Sequence, residues 1–216
     1  DVLWGRGTAD MKGGVAVALR LATTVASPTR DVTYVFYDHE EVAAQANALG
    51  RLAREKPGLL AGDFAVLMEP TSAVVEGGCN GTMLVDVIVP GRAAHSARSW
   101  MGVNAIHAAA AVLDRLGAYE PAEVEVDGLH YREGLNAVAI TGGIAGNVIP
   151  DRAVVTVNYR FAPSHTEEFA LEHVRSVFDG FEIALRDSAP GARPGLGHPA
   201  AAAFVGCAFV RTTSVC

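Results

Sequence analysis

The apolar positions of the first third fall into two kinds of run. Between Lys12 and Val25, and again between Val42 and Arg54, they are interspersed with polar residues in the manner of a helix. After each of them comes a short, near-continuous apolar stretch of strand length, Asp31–Tyr37 and then Asp63–Met68. Strands that carry apolar side chains on both faces and alternate with helices predict a parallel, doubly covered sheet. In such sheets ligands sit at the carboxyl ends of the strands. "DHEE", residues 38–41, follows one predicted strand, and Glu69 of "FAVLMEPTS" follows the next.

From about Asn80 the period changes. "TMLVDVIVPG" alternates as a strand, and "GVNAIHAAAAVLDRLGA" places Ile106, Ala110, Leu113 and Leu116 on one helical stripe. "LNAVAITGGI" and "RAVVTVNYRFAP" follow as two strands, "SHTEEFALEHVRSVF" as a helix opened by a Ser164-x-x-Glu167 capping box, and "FEIALRDSAP" as a last strand. This β-α-β-β-α-β order predicts the ferredoxin-like split unit. The expected organisation is therefore a first domain at 1–76, a smaller domain inserted at 77–186, and a return to the first at 187–216. "SAPGARPGLGHPAAAAF" reads as a Pro/Gly-rich loop entering a helix, and there is no internal repeat.

Composition narrows the function classes. The 216 residues are half hydrophobic, enough for a core, and carry a net charge of -7. With a pI near 5.5 and no basic run, the chain offers no phosphate-binding face for a nucleic acid. An anionic substrate therefore needs a local arginine site. Cys79, Cys207 and Cys216 fit neither a disulfide framework nor a CxxC clip, so a reducing cytoplasm is the expected setting. Neither a membrane span nor an export leader is signalled. The opening on "DVLWGRGTAD" without methionine and the close on "FVGCAFVRTTSVC" read as the ends of a fragment, and the tail after about Gly206 as a divergent segment.

The candidate chemistry is acidic. Consecutive strand residues point to opposite faces, so Glu40 and Glu41 share a site only if the chain turns there. Adjacent carboxylates raise each other's pKa unless a cation holds them. A metal resolves the conflict and leaves one carboxylate free to take a proton from water. The alternative places both in a helix's first turn as dipole partners, at ~0.3–1 kcal/mol each. Asp10 of "GRGTADMKGG" leaves a Gly-rich turn ahead of a helix and could instead be its N-cap, while Gly13 and Gly14 permit close packing. Glu69, before Pro70, could be a solvated strand end. Three acids at consecutive strand ends nevertheless point to a zinc or similar divalent site.

"GRGTADMKGG", "YDHEE" and "MEPT", in this order, resemble the aminoacylase/carboxypeptidase family of co-catalytic metallopeptidases. "GCNGTMLVDVIVPGRAAHSARSWMGVNAIHAAAAVLDRL" and "GGIAGNVIPDRAVVTVNYRFAP" most resemble its succinyl-diaminopimelate desuccinylase branch. The resemblance implies an α/β catalytic domain with a mostly parallel sheet and an inserted ferredoxin-like lid that dimerises. It further implies two Zn2+ per subunit, with Co2+ able to substitute, and a small-molecule substrate, N-succinyl-LL-2,6-diaminopimelate. By resemblance Asp10 bridges the metals, Glu41 and Glu69 each ligate one, and Glu40 is the general base; the Asp10–Met11 peptide is cis. His95 reaches the partner subunit's site to stabilise the oxyanion, and Asn147 contacts substrate across the dimer.

Arg160, on the polar face of its strand with Thr156 and Asn158, is the candidate carboxylate fork, and Arg98 a second candidate. His107, His130, His165 and His198 are expected to be structural, and Cys79 to pack. The family's upstream H-x-D motif and its C-terminal metal-binding histidine have no match here, so each metal lacks one imidazole and the fragment is expected to be impaired. The rival readings are a related aminoacylase or carboxypeptidase, and an inactive chain whose dimerising domain is its working part.

Overall fold

The computed structural model describes residues 2–42, 46–72, 74–207 and 212–214. The chain divides into two compact units, one of Asp1–Glu76 with Leu196–Thr212, the other of Gly77–Gly195 with Thr213–Cys216. In the first unit, helix α1 (Lys12–Thr24) matches its predicted span to one residue. Helix α2 (Ala48–Glu55) starts later than the predicted Val42. The side chain of Asn47 fixes that start, its Oδ1 accepting from the Gly50 N–H at 3.1 Å. Residues 43–45 of the predicted helix lie outside the described residues.

Among the described residues of this unit the segments expected to build the parallel sheet are not laddered as strands. Residues 31–37 and 63–68 follow the predicted course without a regular strand among the described residues. A strand apolar on both faces becomes a strand by burial on both sides. Here Val32, Phe36, Val66 and Leu67 are each at least half exposed, and Ala48 and Ala201 are the buried apolar residues. Without that burial the ladder has nothing to hold it.

A short strand, β1 (Val75–Gly77), leads to the second unit. There the alternating segments become strands as expected: β2 (Gly81–Pro90), β6 (Gly134–Gly142), β8 (Arg152–Phe161) and β9 (Glu182–Ala189). They form one antiparallel sheet in the order β6-β8-β2-β9. The intervening helices are α3 (Ala105–Ala108) with α4 (Ala110–Gly117), interrupted at Ala109, and α5 (Glu167–Val177). Two β-α-β crossovers, each with a strand of the other between its strands, make the ferredoxin-like split unit. Period-2 burial is strict in β2, where Met83, Val85, Val87 and Val89 are buried. They pack with Val155, Val157, Tyr159 and Phe161 of β8, Val112 of α4, and Val174 of α5.

Two details differ from expectation. The N-cap of α5 is Thr166, whose Oγ1 accepts from the Phe169 N–H at 3.2 Å, so Ser164 and Glu167 form no capping box. A hairpin, β4 (Glu123–Val126) and β5 (Leu129–Arg132), adds to the predicted order. Its turn places Asp127 and Gly128 at φ of 51° and 81°, the Asp-Gly chemistry of a tight hairpin. Short strands β3 (Ala94–His95) and β7 (Val148–Ile149) pair with each other, and α6 (Pro199–Cys207) is the helix expected after the Pro/Gly-rich loop.

Candidate active site

The four acids of the first unit lie near enough to act on one another electrostatically. Gly14 of α1 lies so close to the 63–70 segment that a Cβ there would stand 2.2 Å from the Met68 carbonyl oxygen. That approach brings the start of α1 beside the end of the 63–70 segment. Met11 is the N-cap of α1 and no side chain caps the helix, so Asp10 is not spent on that role. The Asp10–Met11 peptide is cis, as the resemblance implies. At residues 38–41 the chain turns: His39 sits at φ 59° and its ring pairs with Asp38 at 2.9 Å. The turn meets the condition for Glu40 and Glu41 to share a site. The dipole alternative fails for α2, whose first turn begins at Ala48.

Two shifted groups record that nearness. Desolvation first, then the carboxylates of Asp10, Glu40 and Glu41, hold Glu69 above the usual carboxylate range. Burial, then Glu40 and Glu69, pushes the Tyr37 phenol up as well. A like-charged cluster of this kind favours either a shared proton or a bound cation. Its all-oxygen donor set suits a divalent ion in chemistry. In geometry the fit is incomplete, since among the described residues no group of three His, Cys, Asp or Glu side chains stands close enough to hold one.

The candidates of the second unit form two groups. His95 in β3 pairs with Val148 of β7, and the Ser96 N–H donates to the Asn147 carbonyl at 2.9 Å, so His95 and Asn147 adjoin. His95 is exposed, and its Nδ1 accepts from the Ala97 N–H at 3.1 Å. That acceptor role places the ring proton of the neutral imidazole on Nε2, as an outward donor. Arg98 follows in a 3-10 turn, exposed.

Arg160 lies near the far end of β8, paired with Thr82 and Gly134, while the loop carrying Asn147 enters β8 at Arg152. Eight residues of strand separate those ends, about 25 Å at ~3.3 Å per residue. Within one unit, then, His95 and Asn147 lie toward the opposite end of β8 from Arg160. Arg160 shares its face with Asn158, which donates to Thr82 Oγ1 at 3.0 Å, and Thr156, which donates to Asp86 Oδ1 at 2.7 Å.

The comparisons with known proteins bear on both units. The family model described as a peptidase dimerisation domain matches residues 78–181. The matched residues are those of the split β-α-β unit described above. Over 207 residues the chain is 56% identical to a Mycobacterium tuberculosis protein assigned as a succinyl-diaminopimelate desuccinylase, covering 95% of this chain and 58% of that protein. It is 46% identical over 205 residues to the succinyl-diaminopimelate desuccinylase of Corynebacterium glutamicum, covering 91% of this chain and 56% of that one.

The chain therefore spans somewhat more than half the length of these relatives. A tripeptidase from Staphylococcus aureus, 21% identical, superposes with a TM-score of 0.68 over 96% of this chain and 57% of its own, a likeness of fold. Among the described residues no helix is long and apolar enough to cross a membrane.

The sequence reading passed over one constellation in the second unit. Glu133, between β5 and β6, is 5% exposed and holds hydrogen bonds from Tyr159, Ala162 and His165. Tyr159 stacks on His173 at 5.0 Å between ring centres, and His173 Nε2 lies 2.9 Å from the Tyr119 hydroxyl. Nothing in "YREGLN" distinguishes this glutamate from a solvated charge ahead of a strand.

Proposed function

We propose that the chain acts as part of a metal-dependent amide hydrolase that removes succinate from N-succinyl-LL-2,6-diaminopimelate, in lysine and diaminopimelate biosynthesis in the cytoplasm. The observation that carries this reading is the electrostatic nearness of Asp10, Glu40, Glu41 and Glu69 in a chain 56% identical to an assigned desuccinylase. Asp10, Glu41 and Glu69 are the residues that would hold the metal, two Zn2+ per subunit, with Co2+ a substitute. When bound, the metal polarises the amide carbonyl and acidifies water. Glu40 takes the proton of the attacking water and returns it to the leaving amine. His95 of a second copy donates its Nε2–H to the oxyanion. Asn147 of that copy and Arg160 of the first orient the substrate, with Arg160 forking a carboxylate. Arg98 is a further contact for it.

The second copy is recruited through β6. This edge strand of the four-stranded sheet leaves Val138 and Ile140 at least half exposed, and Ile106 of α3 lies against its Gly142. An unpaired apolar edge is a template for a second strand.

The deciding experiment measures hydrolysis of N-succinyl-LL-2,6-diaminopimelate by the zinc-supplied protein against N-acetyl amino acids and C-terminal peptide bonds. Preference for the succinyl substrate is expected. Preference for an acetyl amino acid or a peptide would instead make it an aminoacylase or a carboxypeptidase. One observation favours a second reading, a non-catalytic dimerising chain: the described acids do not close a metal site by themselves. Elemental analysis separates the two, because two tightly held ions per chain exclude the non-catalytic reading and none excludes ours.

A further inference from the structure

The carboxylate of Glu133 is 3% exposed. Burying an ionised group is costly unless its oxygens are fully hydrogen-bonded. Here they are: Oε2 accepts from the Tyr159 hydroxyl at 2.7 Å, and Oε1 from the Ala162 N–H at 2.8 Å and from His165 Nδ1–H at 2.9 Å. The three donors lie at 159, 162 and 165, on both sides of Arg160 in sequence. The residue after Glu133, Gly134, is the β6 partner of Arg160 itself. Side chains alternate along a strand, so Tyr159 and Phe161 enter the core while Arg160 leaves from the opposite face. Holding Tyr159 before it and Ala162 after it fixes the base from which the guanidinium projects. The phenol of Tyr159 is pushed far above its usual range by burial and by Glu133, so it remains a donor.

We propose that Glu133 is a positioning residue that fixes the end of β8 and so holds the Arg160 guanidinium where a substrate carboxylate meets it. The proposal rests on the reading of Arg160 given above, and the comparison with Arg160→Ala keeps the two separable. It is tested in the zinc-loaded protein with N-succinyl-LL-2,6-diaminopimelate. Glu133→Ala is expected to raise KM about tenfold with kcat within about threefold. Glu133→Gln, which keeps an acceptor for the Ala162 N–H, is expected to return KM to within about threefold of the parent. In an Arg160→Ala background Glu133→Ala is expected to add little, because a residue acting through another is not additive with it.

An unchanged KM in Arg160→Ala would overturn the reading of Arg160. A raised KM there with a parental KM in Glu133→Ala, or full additivity of the two, would overturn the positioning role alone. Should Glu133→Ala show no cooperative unfolding, Tyr159→Phe and His165→Ala each remove one of the three donors. A parental KM in both would equally overturn it.

Discussion

Glu40 and Glu41 illustrate how much a residue's neighbours decide about it. Adjacent in sequence, they follow a turn at His39, whose positive φ takes the chain out of the extended direction. In the function proposed above Glu41 holds the metal and Glu40 is the carboxylate free to move a proton. Glu40→Gln keeps the shape and removes the base, so kcat should fall by about 10²–10⁴-fold while KM and zinc content hold. Stopped assays with metal analysis of the same samples check this; a fall in zinc content would move Glu40 among the ligands.

His173 supports a second prediction. Burial holds its ring below the usual histidine range, against the opposing field of Glu133, with Tyr119, Tyr159 and His165 facing it. The folded state thus prefers the neutral ring, and the unfolded chain binds more protons once the pH drops below ~6.5. The stability it contributes is present above that pH and is lost as pH falls through the depressed folded value. The Tm should decline between pH 7.5 and 5, and His173→Gln should flatten that decline. The same slope in the variant would assign it to other groups.

At the scale of elements, the edge strand and the helix cap carry the clearest consequences. Ile140 pairs with Val155, whose side chain is in the core, so Ile140 faces the helix layer yet stays half exposed. A lysine there places a charge on the surface that a second copy would cover. Ile140→Lys should shift the protein toward monomer in sedimentation velocity while leaving its circular dichroism unchanged. A persistent dimer would move the interface elsewhere.

Thr166→Ala removes the one side-chain cap of α5 and should cost about 1 kcal/mol of stability, read from denaturant unfolding. Ser164→Ala should cost much less. The sequence marked the helix correctly and its cap two residues early, because "SHTEE" offers two hydroxyls with an acid nearby and only backbone geometry chooses. Strands β2 and β8 were legible because each buries one face, which writes period 2 into the chain. The 123–132 hairpin was not, because strands of four residues barely exceed chance alternation; its Asp127–Gly128 turn was the available signal. Glu133 had no signal, since its burial arises from residues 26 to 32 positions away.

Across the whole molecule, the two units differ in what holds them. Both clusters of buried apolar side chains formed by the described residues lie in the second unit, around Val85, Val87, Val155, Val157 and Phe178, and around Val126, Tyr131 and Ala162. In the first unit α1 has no buried residue, and Val17 and Leu19 are each half exposed. This contrast explains why the expected parallel sheet was legible as a pattern and is not laddered among the described residues: apolar runs report a preference for burial, and the ladder needs the burial itself. Folding free energy comes mainly from apolar area removed from water. Residues 77–195, excised, should therefore unfold cooperatively with a Tm within a few degrees of the main transition of the chain.

In hydrogen exchange, amides of β2 and β8 should be the slowest, and those of α1 and α2 should exchange at rates set by local opening. Zinc gives a further arm, since an ion held by Asp10, Glu41 and Glu69 stabilises the state that binds it. Protection should then rise around 10–14 and 67–70 and stay unchanged in β2 and β8. Equal protection of both units without metal would contradict the uneven core, and no response at 67–70 would remove Glu69 from the proposed ligands.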